Sequence, residues 1–160
     1  MDDLYYIKES YKEALKAYKK NEVPVGCVIV MDGKIISRAH NLREKKKSAL
    51  AHAEIEAIRK ACLKTKTKFL DGAKIYITLE PCLMCLGAIL QARISEIIYS
   101  ADEPKFGSVS SVARVLDDYK FNHQVTVSKG LMKDEVEKLM KDFFRDLRNK
   151  KSWFYKQNSI

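Results

Sequence analysis

The sequence predicts an α/β fold of three layers, α/β/α, with helices on both faces of a central mixed five-stranded sheet. Three observations carry that expectation. Five short runs rich in Val, Ile, Tyr and Thr are separated by turns or by stretches with helical periodicity. Strands alternating with helices imply a sheet covered on both faces. The chain has 160 residues, 46% of them hydrophobic, with six Gly and three Pro. A chain of that length buries roughly 68–70% of the surface that its unfolded form exposes, enough for a core without disulfides.

Asp2 to Lys20 places Leu4, Ile7, Tyr11, Ala14, Leu15 and Tyr18 on one helical face. Val25 to Val30 and Lys34 to Ala39 read as strands joined at Asp32-Gly33, a hairpin turn. Asn41 to Leu50 is polar and basic, a loop, and a helix returns from Ala51 to Leu63. Asp71-Gly72 turns the chain into a strand over Ala73 to Thr78. Pro81 suits the first turn of a helix through Cys82, Cys85, Ala88 and Ile89. A strand over Ile94 to Ser100, a helix over Ser108 to Asp118 and a short strand over Val125 to Val127 follow. The last helix, Asp134 to Lys150, is apolar along Val136, Leu139, Met140, Phe143, Phe144 and Leu147. No repeat, low-complexity tract or linker divides the chain. The expectation is one domain, 1–160, with a basic C-terminal helix and tail from about 134 to 160.

The net charge of +9 and a pI near 9.3 fit a polyanionic partner held through phosphate contacts, and equally a generally basic protein. No stretch approaches the roughly 20 apolar residues of a membrane span, and Met1-Asp2-Asp3 is acidic where a signal peptide is basic. The expected location is therefore cytoplasmic. In that compartment closely spaced cysteines point to metal binding or catalysis rather than to disulfides.

Two short motifs carry the chemistry, His52-Ala-Glu54 and Pro81-Cys82-Leu-Met-Cys85, each expected to open a helix. Cysteines spaced C-x-x-C at a helix start bring two sulfurs to one point, where exposed N–H groups favour the thiolate that zinc requires. His52 is the best third ligand among three histidines. Three protein ligands leave a fourth position open, the mark of a catalytic zinc, which acidifies water toward a pKa of about 7. Glu54 stands two residues beyond His52, placed to accept a proton and return it to a substrate nitrogen. The order His-x-Glu followed by Pro-Cys-x-x-Cys is the signature of zinc deaminases. The contrasting reading makes Cys82 and Cys85 buried helix residues or part of a closed zinc clip, with Glu54 a solvated acid at a helix start. Cys27 and Cys62 read as core.

With these residues the chain resembles the bacterial tRNA-specific adenosine deaminases, a branch of the cytidine deaminase-like zinc enzymes. The resemblance also takes in Glu22-Val-Pro-Val-Gly26, Asn41, Ala51 to Ile55, Thr78 to Cys85, Gly87-Ala88, Phe121-Asn-His123 and Asp142-Phe-Phe-Arg145. It implies one zinc per subunit, a homodimer, and deamination of adenosine to inosine at the wobble position of a tRNA anticodon, with arginine tRNA bearing ACG as the expected substrate. It further implies that Asn41 hydrogen-bonds the flipped nucleotide, the contrasting role being simply to cap its loop, and that Val23, Pro24, Val25, Leu79 and Glu80 line the base pocket.

An anticodon loop already presents unstacked bases, which suits this chemistry. Lys105, Arg145, Arg148, Lys150 and Lys151 have places from which to reach flanking phosphates, as do Arg43, Lys45, Lys46 and Lys47 beside the expected zinc histidine. His123 either approaches the substrate or supports the loop before the last strand. Trp153, Phe154 and Tyr155 either stack on a base or pack onto the protein. Glu103 and Ser108-Val-Ser-Ser111 depart from the family pattern, which usually has an Asp at the first position, so that a substrate-loop contact is altered or shifted to Asp102. Two other functions fit parts of the pattern: a deaminase of free guanine, cytosine or cytidine, and a non-catalytic zinc module that binds RNA and has no need of Glu54.

Overall fold

In the computed structural model, which describes residues 1–158 and the side chains of residues 1–151, the sheet is built from alternation. Strands β1 (Gly26–Met31), β2 (Lys34–His40), β3 (Lys74–Leu79), β4 (Glu96–Ala101) and β5 (Thr126–Lys129) pair in the order β2-β1-β3-β4-β5. The β1 pairings with β2 and β3 are antiparallel, whereas β3 with β4 and β4 with β5 are parallel. The sheet is therefore mixed and five-stranded, as expected. Side chains that alternate along a strand face opposite ways. Cys27, Ile29, Ile75, Ile77, Ile97 and Tyr99 face one core, and Val28, Val30, Tyr76 and Ile98 face the other.

Helices α3 (Ala53–Thr65) and α4 (Leu83–Gln91) cover the first face with Ala53, Ala57, Ala61, Leu86 and Ile89. The row of alanines lets the α3 backbone lie close to the strands. Helix α1 (Asp3–Lys19) covers the second face through Tyr6 and Ile7. Gly26 is the point of closest approach, since a Cβ there would stand 1.9 Å from the Ser10 carbonyl oxygen. The Ser10 hydroxyl donates to the Tyr76 carbonyl at 2.9 Å, and the Tyr76 hydroxyl to Asp3 at 2.6 Å, tying α1 across β3. Helix α6 (Lys133–Asn158) joins α1 through the edge-to-face rings of Tyr18 and Phe143.

Several boundaries differ from those expected. The segment Asn41 to Leu50 contains a short helix, α2 (Arg43–Lys46). Only Val115–Asp118 is helical (α5) in the stretch expected as helix from Ser108, because the N–H groups of Val109, Ser110 and Ser111 donate to the Glu80 carboxylate instead of opening a helical turn. Pro81 precedes the α4 N-cap, Cys82, whose extended backbone bridges Gly107. Strand β5 lies at Thr126–Lys129, a sheet edge, and α6 runs beyond Lys150. Trp153, Phe154 and Tyr155 lie outside the residues whose side chains are described. Among the described residues, no helix is long and apolar enough to cross a membrane.

Glu13 on α1 is only 5% exposed and lies between His40 and Lys16. Burial alone raises its pKa, but hydrogen bonds from His40 and Lys16 outweigh that effect and bring it down to about 2, against 4.5 for a free glutamate. A depressed carboxylate pKa contributes stability above about pH 4.5 that is lost as pH falls toward 2. Urea unfolding at a series of pH values is expected to show this loss, and Glu13→Gln to flatten the slope across that window. A slope identical to that of the unaltered protein would contradict the assignment.

Candidate active site

Two helix starts meet at the C-terminal end of β3. His52 is the N-cap residue of α3 and Cys82 that of α4, and neither makes a side-chain capping bond. Their side chains are thereby free to turn toward each other. The His52 Nδ1 lies 3.6 Å from the Cys82 sulfur and 3.5 Å from that of Cys85, and all three ligand atoms fall within 4.8 Å of one another. Tetrahedral zinc with bonds of about 2.0–2.3 Å separates its ligand atoms by about 3.5 Å, so this spacing accepts such an ion. The group is positioned to bind a metal, and the donor set of one imidazole and two sulfurs suits a soft or borderline cation.

Charge agrees with that fit. A hydrogen bond from Cys85 pulls the Cys82 pKa down, His52 adds to it, and both outweigh burial to bring the thiol to about 4. Cys82 is thus a thiolate at neutral pH, while its hydrogen bond and burial hold the Cys85 thiol up. The hydrogen bond with Cys82 also raises the His52 pKa. Glu54 is 4% exposed and lies against Cys85, and burial pushes its carboxyl above the usual range. Cys27 is buried in the sheet core and Cys62 packs beside it, as expected for structural cysteines.

Two loops flank this centre. In the first, the Asn41 amide nitrogen donates to the Val23 carbonyl at 3.3 Å, and its side-chain oxygen accepts the Arg43 N–H at 3.0 Å. Asn41 therefore closes a turn and retains one donor and one acceptor site. Val23 and Val25 are half-buried and Pro24 buried, leading into β1. Lys46 pairs with the buried Glu56, leaving Arg43, Lys45 and Lys47 as the outward cations of this loop.

The second loop, residues 102–111, is wound around Glu80. That carboxylate accepts N–H groups from Glu103 at 3.0 Å, Val109 at 3.0 Å, Ser110 at 2.8 Å and Ser111 at 3.1 Å, together with the Ser111 hydroxyl. Burial works against ionisation, yet these donors hold its pKa below the usual value. Gly107 is required here, because a Cβ would come 2.4 Å from the Glu80 carboxylate. Glu80 thus anchors the loop rather than offering its carboxylate to a base pocket, and Leu79 beside it is half-buried.

The departures at Glu103 and Ser108 to Ser111 have structural roles. Glu103 accepts the Lys105 N–H at 2.9 Å, and the Ser108 hydroxyl donates to the Pro81 carbonyl at 2.9 Å. Asp102, where a shifted substrate contact was expected, is exposed and bonds to Tyr99, Ser110 and Lys129.

Lys105 is exposed and lines a surface cavity of about 370 Å³ with Met140, Lys141, Phe144 and Arg148. Arg145 is exposed and makes ion pairs with Asp142 and Asp146 on its own helix. His123 does not join the site. Its Nε2 lies 2.7 Å from the Ile94 carbonyl, ahead of β4, whereas His52, Cys82 and Cys85 gather past the other end of the parallel β3–β4 pair. Six residues of strand separate those ends by about 17 Å, so His123 supports the loop before β5. Glu22, which falls within a motif of the sequence but was given no role there, is buried beside Val23. Its signal was an acid directly before an apolar strand entry.

Replacing Cys82 or Cys85 with Ser is expected to lower zinc retention and catalytic turnover together, since thiolates are the better zinc ligands. Metal analysis of dialysed variants checks this, and full zinc occupancy in either would remove that cysteine from the ligand set.

Comparison with known proteins agrees with this geometry. The MafB19-like deaminase family matches residues 1–148. The tRNA-specific adenosine deaminase of Bacillus subtilis (strain 168) is 45% identical over 149 residues, covering 93% of this chain and 92% of that one. A solved structure from work on A-to-I editing by tRNA:A34 deaminases superposes with a TM-score of 0.81 at 38% identity, covering 84% of this chain and 98% of that one. A guanine deaminase from Bacillus subtilis is also similar, with a TM-score of 0.62 at 30% identity over 76% of this chain and 87% of that one. Fold, ligand triad and sequence likeness over nearly the whole chain converge: this protein belongs to the MafB19-like deaminases, in the family of the tRNA-specific adenosine deaminases.

Proposed function

We propose that this deaminase converts adenosine to inosine at the wobble position of a tRNA anticodon, with one zinc per subunit held by His52, Cys82 and Cys85. The observation that carries the reading is the burial of Glu54 against a ligand triad of catalytic type, with no fourth protein ligand among the described residues. Zinc bound there would supply a Lewis acid that makes water nucleophilic at neutral pH. The Glu54 carboxylate takes a proton from the attacking water and delivers it to the departing amino nitrogen, so that adenosine and water give inosine and ammonia. Burial of Glu54 keeps bulk water from competing for that proton.

The substrate assignment is supported by the names of the relatives and by the net charge of +9. On this reading Val23, Pro24, Val25 and Leu79 form the walls around the base, and the remaining hydrogen-bonding capacity of Asn41 reads the flipped nucleotide. Lys105 and Arg145 meet flanking phosphates, which requires Arg145 to exchange its surface ion pairs for RNA. Such exposed pairs are worth only about 0–1 kcal/mol. The active form is a homodimer, the substrate arginine tRNA with an ACG anticodon, and the compartment the cytoplasm. A second reading, deamination of free guanine, has one observation behind it, the 30% identity to a guanine deaminase.

Incubation of the zinc-loaded protein with transcribed arginine tRNA bearing ACG is expected to yield inosine at the wobble position. Glu54→Ala is expected to lower the rate by about 10²–10⁴-fold while zinc content is retained. Turnover preserved in that variant would remove Glu54 from the mechanism, and turnover of free guanine without any of the tRNA would favour the second reading. Raising salt from about 50 to 200 mM is expected to weaken tRNA binding at least tenfold through counterion effects. A salt-independent KM would argue against phosphate contacts.

A further inference from the structure

The buried carboxylate of Glu22 has no part in the chemistry above, yet its surroundings are organised around it. Its main chain is fixed by the end of α1: the Glu22 N–H donates to the Ala17 carbonyl at 3.0 Å, and Asn21 before it takes the left-handed conformation, with φ 59°, that turns the chain out of the helix. Its side chain is 1% exposed for the residue as a whole and reaches across to α2, 22 positions along the sequence. One carboxylate oxygen accepts the Glu44 N–H at 2.8 Å, and the other accepts the Lys45 N–H at 3.1 Å.

Those two donors are the ones that an N-cap side chain would ordinarily satisfy. The residue in that place is Leu42, which has no polar side chain and whose backbone, at φ −130° and ψ 24°, is not that of a usual N-cap. Asn41 accepts the preceding Arg43 N–H, so Asn41 and Glu22 together satisfy the first three amides of α2. The same Asn41 holds the Val23 carbonyl, one residue after Glu22. A closed circuit results, running from Glu22 to α2, back through Asn41 to Val23, and so to Glu22.

We infer that Glu22 is a positioning residue for the substrate-facing loop, a cap supplied from a distance that holds Asn41, Arg43 and Lys45 in a preformed arrangement beside the base pocket. The inference rests on the reading of the enzyme as an RNA deaminase only for what the loop meets. The clamp itself is a property of the protein alone. A four-residue helix has little stability of its own, and without the clamp the loop would sample other conformations before binding. Ordering it would then fall to the RNA, weakening binding without touching proton transfer at Glu54.

The test is Glu22→Gln in the zinc-loaded protein, with two readouts. Amide hydrogen exchange at Glu44 and Lys45 is expected to accelerate at least about tenfold, with exchange in β1 and β3 unchanged. With anticodon stem-loop RNA, KM is expected to rise at least about fivefold while kcat stays within about twofold. Unchanged exchange at Glu44 and Lys45 overturns the clamp whatever the substrate. A fall in kcat at constant KM also overturns it. Should the Gln variant lose protection throughout the sheet, Glu22→Asp, one methylene shorter, provides the comparison. Sheet-wide loss in both means that Glu22 is a general stability residue, and the inference fails. Local exchange that accelerates in a protein whose unaltered form does not act on RNA establishes the clamp and overturns the substrate reading alone.

Discussion

The convergence of two helix N-termini on one point is the constraint on which the rest of this structure depends. His52 and Cys82 stand at N-cap positions without capping anything, and the alanine row of α3 together with Leu86 and Ile89 of α4 seats both helices on the same face of the sheet. Because β1 and β3 pair directly, the chain leaving β3 reaches α4 next to the start of α3. The N-terminal ends of these helices carry partial positive charge from their free N–H groups, which favours the Cys82 thiolate. Burial then places Glu54 in the same apolar setting. The gathering of the three ligand atoms, the thiolate character of Cys82 and the burial of Glu54 beside them thus share one geometric origin.

Charge is distributed in an equally consistent way. Among the described residues, Glu9, Glu13, Glu22, Glu54, Glu56 and Glu80 are buried, and no Lys or Arg is. Glu9, Glu13, Glu22, Glu56 and Glu80 are each engaged by several backbone N–H groups or by neighbouring cations. An ionised carboxylate removed from water is tolerated only when it is so compensated. Acids therefore do internal structural work while the bases project outward, and the surface met by a partner is richer in positive charge than the composition alone implies. That arrangement favours a polyanion over a small neutral base.

Both loops at the site follow the same device. Residues 102–111 wind around Glu80, and α2 is capped by Glu22, so each loop is held by a buried carboxylate accepting several backbone donors. Backbone N–H groups are present whatever the side chain, so such anchors tolerate change in the residues displayed. At residues 108–111 the serine hydroxyls add bonds of their own, to Pro81, Asp102 and Glu80, which help to keep the loop closed.

The sheet, its hairpin at Asp32-Gly33 and the helices α1, α3 and α4 were legible in the sequence because they rest on local signals. Alternation, helical spacing and a turn with two successive positive φ values are each written within a few residues. The grouping of His52 with Cys82 and Cys85 was legible for a similar reason, since C-x-x-C imposes its geometry over a single helical turn. The short α2, the delayed start of α5 and the place of His123 were not, because each depends on a partner distant in the chain: Glu22 for α2, Glu80 for the residues before α5, and the Ile94 carbonyl for His123. By itself the sequence determined which residues can gather as metal ligands. Only the tertiary structure decided which carboxylates hold loops, because that depends on whether backbone donors surround them, and those donors are brought together only when the chain folds.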